Sequence, residues 1–145
     1  MPLRSCGSCA GDGLTMKLAV NLYLNSMLAA LAEAVHFADG GGLDLEAFRH
    51  AIDSGQLASD LTRVKIPKLI GRDFAVQAAT SDAYTSTRLI ADEARAVGVA
   101  TPMLDLSSEL YRESLALAND REDMVAVIEA IEARTRSASE VTAVR

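Results

Sequence analysis

The stretch that decides the fold is LTMKLAVNLYLNSMLAALAEAVHFA, residues 14–38. Ala, Leu and Met, which favour helices, dominate it, and three consecutive glycines at positions 40–42 follow it. Within this stretch, Lys17 is the only charged residue before Glu33. The pattern predicts one long and largely apolar helix that, at about 1.5 Å per residue, spans most of a small domain.

Lys17 and Asn21 lie one helical turn apart and therefore share one face of this helix. Burying a cation and an amide without partners is costly. From side-chain chemistry alone, the favoured interpretations are a lysine that extends to solvent at the helix start and an asparagine with satisfied hydrogen bonds in the core. The functional alternative is a helix face that borders a wet cleft or a ligand.

Shorter helices account for the next part of the chain. Asp44 is suited to cap a second helix over residues 45–53. A third helix is predicted over residues 57–70, where Pro67 should kink the helix or end it early. A fourth helix is predicted over residues 77–96, because a glycine at position 98 can stop it.

Two further helices complete the predicted fold. Thr101 and Pro102 give the favourable order of a capping residue followed by proline at the start of a fifth helix. Asp120 is predicted to cap the last helix. The apolar stripe of that helix consists of Met124, Val127, Ile128 and Ile131. Because no pair of alternating strand segments occurs, the sequence predicts an all-α domain of about six helices.

Length and composition fit one compact domain. The chain has 145 residues, of which 50% are hydrophobic and 23% are charged, and this is enough for a hydrophobic core of its own. We expect a glycine-rich lead-in over residues 1–12 and the helical domain over residues 13–136. The polar residues 137–145 are expected to form a fraying tail.

The charge pattern argues against two classes of partner. The formal net charge is -6, without a run of like charges, so neither nucleic acid nor an anionic membrane is expected as the main partner. The N-terminus lacks the apolar segment of a secretory signal. The uncharged run over residues 18–32 contains polar side chains and is shorter than a bilayer requires. The expected location is therefore the cytoplasm.

Cys6 and Cys9 form a C-x-x-C motif in the lead-in. A zinc site needs two more ligands, and His36 and His50 lack the usual spacing of such ligands. A thioredoxin-type redox pair needs a preceding strand and a βαβ unit, and the sequence shows neither. Two thiols in a glycine-rich segment are the favoured interpretation, and no metal site is predicted.

Four residues at the start of the long helix match a family signature. Gly11, Gly13, Lys17 and Asn21 stand in the order G-x-G-x-x-x-K-x-x-x-N. With them, the sequence resembles the C-terminal helical domain of the β-hydroxyacid dehydrogenases, which include 3-hydroxyisobutyrate dehydrogenase and are related to 6-phosphogluconate dehydrogenase. Further similar residues follow at consistent intervals as far as residue 132: Glu33-Ala34, Gly42-Leu43-Asp44, Ser54-Gly55, Phe74, Asp82, Thr101-Pro102, Tyr111 and Asp123.

The resemblance implies a set of roles. In this family an N-terminal Rossmann domain binds NAD or NADP, and the active site lies between that domain and the helical one. Lys17 corresponds to the catalytic lysine, Asn21 and Gly13 to substrate-binding positions, and Asp82 to a cofactor-binding position. The implied substrate is a small 3-hydroxy acid or semialdehyde, since a lysine favours carbonyl or alcohol substrates over the imines of related reductases. The resemblance also implies a homodimer.

Three features depart from the family pattern. Val20 stands where the family often has the first of two adjacent asparagines, and Ser81 stands where a lysine usually helps to hold the cofactor. The sequence also shows no strand followed by a complete G-x-G-x-x-G, so we expect this chain to lack the Rossmann domain and to be inactive alone. A non-catalytic helical interaction module derived from such an enzyme is the competing hypothesis.

Overall fold

The computed structural model describes residues 10–145 of the chain, and this part contains six α-helices and no β-strand. The helices are α1 (Ala10–Gly40), α2 (Leu45–Asp53), α3 (Asp60–Gly71), α4 (Thr80–Ala96), α5 (Pro102–Ala116) and α6 (Val127–Ala143). A short 3₁₀ turn, Met124–Ala126, leads into α6. The predicted all-α domain of about six helices is confirmed.

Helix α1 forms the backbone of the domain, as its composition predicts. Its second half buries Leu28, Ala32 and Val35 almost completely. These side chains pack in one core cluster with Tyr111 of α5 and Val127 of α6. Because α1 also contacts α2, α3 and α4, it touches every other helix of the domain.

The end of α1 is set by the glycines that follow it. Gly42 has a φ of +76°, in the left-handed region that favours glycine. The backbone N–H of Leu43 then donates to the carbonyl of Ala38 at 3.0 Å, which satisfies an acceptor in the last turn.

By length and composition alone, α1 is apolar enough to cross a bilayer. Its most apolar window has a mean hydropathy of 1.4, and only 28% of that window is buried in this domain. The core helix of a soluble protein meets the same criteria. The domain therefore leaves much of the apolar surface of α1 exposed.

The next two helices show where local signals succeed and where they fail. Asp44 caps α2 as predicted, since its side chain accepts from the Glu46 N–H at 3.1 Å. Helix α3 begins later than predicted, because Ser59 forms a capping box with Thr62. The expected early end at Pro67 is wrong: the helix continues to Gly71, because burial of neighbouring side chains offsets the one lost backbone hydrogen bond.

The C-terminal half corrects a second prediction. Thr101 and Pro102 begin α5 as expected, although the Thr101 side chain makes no capping hydrogen bond. Asp120 does not cap the last helical segment. That role belongs to Asp123, whose side chain accepts from the Val125 N–H at the start of the 3₁₀ turn. Helix α6 then extends through most of the predicted tail, to Ala143, with exposed side chains.

Candidate active-site face on helix α1

Lys17 lies near the start of α1, where the helix projects beyond the body of the domain. Its side chain and all residues from Gly11 to Met16 are exposed. Gly13 lies in this exposed part of the helix, one turn before Lys17. The ammonium group of Lys17 is thus open to a ligand or a covering partner.

Asn21 follows one turn later on the same face and is half-buried. Leu18 and Leu22, beside it, pack against a small core cluster. That cluster is formed by Ile90, Ala91 and Leu104. These contacts fix α1 on α4 and α5, so Asn21 lies at the border between the packed side and the open side of the helix. Lys17 and Asn21 therefore form one wall of a site that the rest of residues 10–145 leave open.

Val20 adds an apolar side chain to this wall. It is 57% exposed and lies within one turn of both Lys17 and Asn21. In the position where the family often has an amide, the structure therefore presents an alkyl surface next to the cation. The polar groups of this wall are the ammonium group and one amide.

Asn25 extends the polar stripe by one more turn, but its role is structural. It is 4% exposed, and its side-chain amide donates to Ser86 Oγ at 3.3 Å. Its backbone carbonyl accepts from the Tyr111 hydroxyl at 2.7 Å. Burial, with a smaller effect of the Asp123 charge, raises the pKa of Tyr111 and keeps this donor protonated. This anchor was not predicted from the sequence, although the spacing of Lys17, Asn21 and Asn25 by four residues places Asn25 on the same side of the helix.

Helices α1 and α4 run antiparallel to each other. Asn25 contacts Ser86, whereas Leu22, nearer the start of α1, lies in a cluster with Ile90, nearer the end of α4. The start of α1 therefore faces the end of α4.

Asp82 lies in the first turn of α4 with its side chain exposed. Asn25 and Ser86 mark the same level of the two helices. Lys17 lies eight residues from this level in one direction, and Asp82 lies four residues from it in the opposite direction, because the helices are antiparallel. At about 1.5 Å per residue, the two candidates are about 18 Å apart along the helices. The structure therefore does not bring Asp82 next to Lys17, and any ligand that contacts both must be long.

The metal and redox alternatives gain no support from the described residues. Cys6 and Cys9 lie outside that part of the chain. His36 Nε2 lies 2.7 Å from Thr135 Oγ1, a partner within the domain, and His50 is exposed on α2. Among residues 10–145, no group of three or more His, Cys, Asp or Glu side chains is arranged to hold a metal ion.

A groove of about 1080 Å³ lies away from this face, between the second half of α1 and α6. It is lined by Phe37, Leu43, Phe48, Ile131 and small side chains of both helices. Phe37 is 80% exposed at its edge. Lys17 and Asn21 do not line it, so this groove is separate from the candidate site.

Known proteins are similar to this chain in sequence. The chain is 29% identical over 123 residues to glyoxylate/succinic semialdehyde reductase 2, chloroplastic, of Arabidopsis thaliana. The matched residues make up 85% of this chain and 34% of that relative. It is 28% identical over 120 residues to the human cytokine-like nuclear factor N-PAC, which covers 83% of this chain and 22% of that protein. The chain thus spans about a third or less of these curated relatives.

Solved structures show the same fold. The 3-hydroxyisobutyrate dehydrogenase of Salmonella typhimurium superposes with a TM-score of 0.78 at 23% identity, over 82% of this chain and 42% of that one. The Mycobacterium tuberculosis 3-hydroxyisobutyrate dehydrogenase with L-serine superposes with a TM-score of 0.75 at 22% identity. This match covers 85% of this chain and 44% of that one. One family, described as NAD-binding of NADP-dependent 3-hydroxyisobutyrate dehydrogenase, matches residues 11–131. The chain belongs to this family, among the NAD(P)-dependent hydroxyacid dehydrogenases and semialdehyde reductases.

Proposed function

We propose that this chain is the C-terminal substrate-binding and dimerisation domain of an NAD(P)-dependent 3-hydroxyacid dehydrogenase or semialdehyde reductase. It acts together with a Rossmann domain, which covers the open face of α1. The observation that carries the proposal is that the exposed Lys17 and the half-buried Asn21 share one face of α1, at an end of the helix that the other described residues leave largely open. These two residues lie within the segment that matches the family.

Lys17 is the proposed general acid and base of the reaction. When bound, the nicotinamide cofactor supplies a hydride to the carbonyl carbon of the substrate or accepts one in the reverse direction. During reduction, the carbonyl oxygen takes the electron pair of the C=O bond and develops negative charge. The Lys17 ammonium group stabilises that charge and donates a proton, which leaves an alcohol and a neutral amine. In the oxidative direction, the neutral amine takes the hydroxyl proton.

Asn21 orients the substrate without adding a charge. Its amide N–H groups donate to a carboxylate or carbonyl oxygen one helical turn from Lys17. Gly13, one turn before Lys17, has no side chain and lets a small substrate approach the helix. We propose a small 3-hydroxy acid or semialdehyde as the substrate. Such a molecule has one oxygen for the Lys17 ammonium group and another for the Asn21 amide.

The start of α4 fits a separate cofactor contact. The Asp82 carboxylate is exposed and can accept hydrogen bonds from the hydroxyl groups of NAD or NADP. Ser81, which is half-buried beside it, offers a hydroxyl but no positive charge. This pair suits a ribose better than a phosphate, so the main affinity for the cofactor comes from the Rossmann domain.

The homodimer rests on the apolar surface that α1 leaves exposed. Met16 and Tyr23, which are 52% and 68% exposed, lie two helical turns apart and form an apolar stripe beside the wall of Lys17, Val20 and Asn21. Exposed apolar stripes of this kind are typical of association surfaces. We propose that a second copy covers this stripe.

A helical interaction module is the second candidate. It is favoured by the match to N-PAC, a nuclear factor by its name, and by Ser81 in place of the family's lysine. In that case the α1 face serves association only, and Lys17 contributes nothing to turnover.

A chimera distinguishes the two functions. In this chimera, residues 11–145 of the present chain replace the matching segment of the Arabidopsis glyoxylate/succinic semialdehyde reductase 2. The N-terminal part of that reductase precedes them. Reduction of glyoxylate and succinic semialdehyde is followed by the loss of NADPH absorbance. We expect turnover from a folded, monodisperse chimera. A folded chimera that binds NADPH but does not turn over either aldehyde supports the interaction module and contradicts the enzyme domain.

A further inference from the structure

The first turn of α4 is capped by another part of the chain. The residue before the helix, Ala79, makes no side-chain cap. Instead, the backbone N–H of Thr80 donates to the Glu122 carbonyl at 2.9 Å, and that of Ser81 donates to the Asp120 carbonyl at 3.2 Å. The turn formed by residues 120–125 therefore does for α4 what a capping side chain usually does.

Asp123 is the centre of this turn, and its side chain is fully buried. One carboxylate oxygen accepts from the backbone N–H groups of Gln77 at 2.9 Å and Ala78 at 3.1 Å. The other accepts from the Val125 N–H at 3.1 Å. Lys65 Nζ lies 3.1 Å from both oxygens and is itself buried. One carboxylate thus joins α3, the segment before α4 and the start of the 3₁₀ turn.

The backbone of the same residue adds further bonds. The Asp123 N–H donates to the Phe74 carbonyl at 2.9 Å, and the Thr80 hydroxyl donates to the Asp123 carbonyl at 3.1 Å. From α3, Lys68 Nζ donates to the Ala75 carbonyl at 2.6 Å. The segment 74–81 is therefore held along its whole length, and its end is the first turn of α4.

We propose that Asp123 is a positioning residue for the cofactor contact at the start of α4. With Lys65, it fixes segment 74–81 and so determines where Ser81 and Asp82 stand. The part of this inference that concerns the cofactor rests on the proposed function. Asp123 itself is fully buried, so its role is to position other residues and not to touch a ligand.

Two substitutions separate the positioning role from general stability. Asp123→Asn replaces an acceptor oxygen by a donor that faces backbone N–H groups and removes the charge beside Lys65. Thr80→Val removes only the hydroxyl bonds to the Glu122 and Asp123 carbonyls. Arg121→Ala, an exposed side chain in the same turn, is the matched control.

The first readout is hydrogen exchange of the 145-residue chain, followed by mass spectrometry. We expect peptides from residues 74–82 to exchange at least roughly tenfold faster in Thr80→Val, while peptides from the α1 core at 28–35 keep their protection. Asp123→Asn, which also lowers the stability of the whole domain, should accelerate exchange more in residues 74–82 than in the α1 core. Arg121→Ala should leave both regions unchanged. Equal acceleration in both regions, or none in residues 74–82, overturns the positioning role.

The second readout is the kinetics of the chimera. We expect Thr80→Val to raise the KM for NADPH several-fold, with kcat and the KM for the aldehyde nearly unchanged. An unchanged KM for NADPH, together with faster exchange in residues 74–82, overturns the cofactor part of the inference. If the unsubstituted chimera shows no turnover, the proposed enzyme function fails, while hydrogen exchange still decides whether Asp123 positions α4.

Discussion

At the scale of single residues, Asp123 shows how a buried acid stays charged. Burial alone would raise the pKa of its carboxyl group. The N–H groups of Gln77, Val125 and Ala78, together with Lys65, outweigh burial and lower the pKa below its usual range. Since the pKa is lower in the folded state, the carboxylate stabilises the fold above the unfolded pKa of about 3.9, and this stabilisation is lost as the pH falls through the folded pKa.

We predict that Asp123→Asn lowers the free energy of unfolding by about 3–5 kcal/mol near neutral pH, because Lys65 is left buried without its partner. Urea unfolding measures the difference between the wild type and the variant. That difference should shrink as the pH falls below about 4, because the unfolded wild-type chain then takes up a proton that the folded carboxylate binds only at lower pH. A difference that stays constant down to acidic pH contradicts the account.

Tyr111 tests the anchor beneath the candidate site. Tyr111→Phe removes the hydroxyl that donates to the Asn25 carbonyl and should cost about 1 kcal/mol in the free energy of unfolding. Tyr23→Phe is the matched control, since Tyr23 is 68% exposed and loses no buried hydrogen bond. Equal unfolding midpoints for the two variants would show that the anchor contributes nothing.

These residues also show which part of the site the sequence can predict. Lys17 and Asn21 stand on one face because helical spacing alone puts them there. The capping role of Asp123 was not predictable from its neighbours, since Asp120 offers the same local chemistry. Only the packing of residues 120–125 against the start of α4 distinguishes the two aspartates.

At the scale of elements, local signals predict those helices that have a capping side chain or an unbroken run of helix-favouring residues. Helix α2 follows from Asp44, and the end of α1 follows from its glycines. The early end at Pro67, predicted as the alternative to a kink, is wrong because the lost hydrogen bond is local, whereas the burial of Ile66 and Leu69 that maintains α3 depends on the whole fold. The extension of α6 was missed because its last turns are polar.

The exposed stripe of α1 yields a prediction at this scale. We expect light scattering after gel filtration to give about twice the chain mass of 15.4 kDa. Tyr23→Glu, which places a charge in the stripe, should give the monomer mass. Val144→Glu is the control, because Val144 is 89% exposed near the end of the chain. A monomeric wild-type chain contradicts the proposed dimer.

At the scale of the whole molecule, the domain provides one wall of the proposed site. Lys17 stands on a helix that is fixed to the core on its packed side, through Leu18, Leu22 and Asn25. The wall opposite Lys17 is the part that the Rossmann domain supplies in our proposal. An exposed lysine alone positions no hydride donor, and catalysis depends on the geometry that both walls create.

Turnover of the Lys17→Ala chimera tests the central claim most directly. Because Lys17 is exposed, the substitution should leave the fold intact, and Arg136→Ala, another exposed cation on α6, serves as the control. We predict that kcat falls roughly 10²–10⁴-fold for Lys17→Ala, as expected for loss of a general acid, and stays unchanged for Arg136→Ala. A Lys17→Ala chimera that keeps the full kcat would contradict the assignment of Lys17 as the catalytic residue.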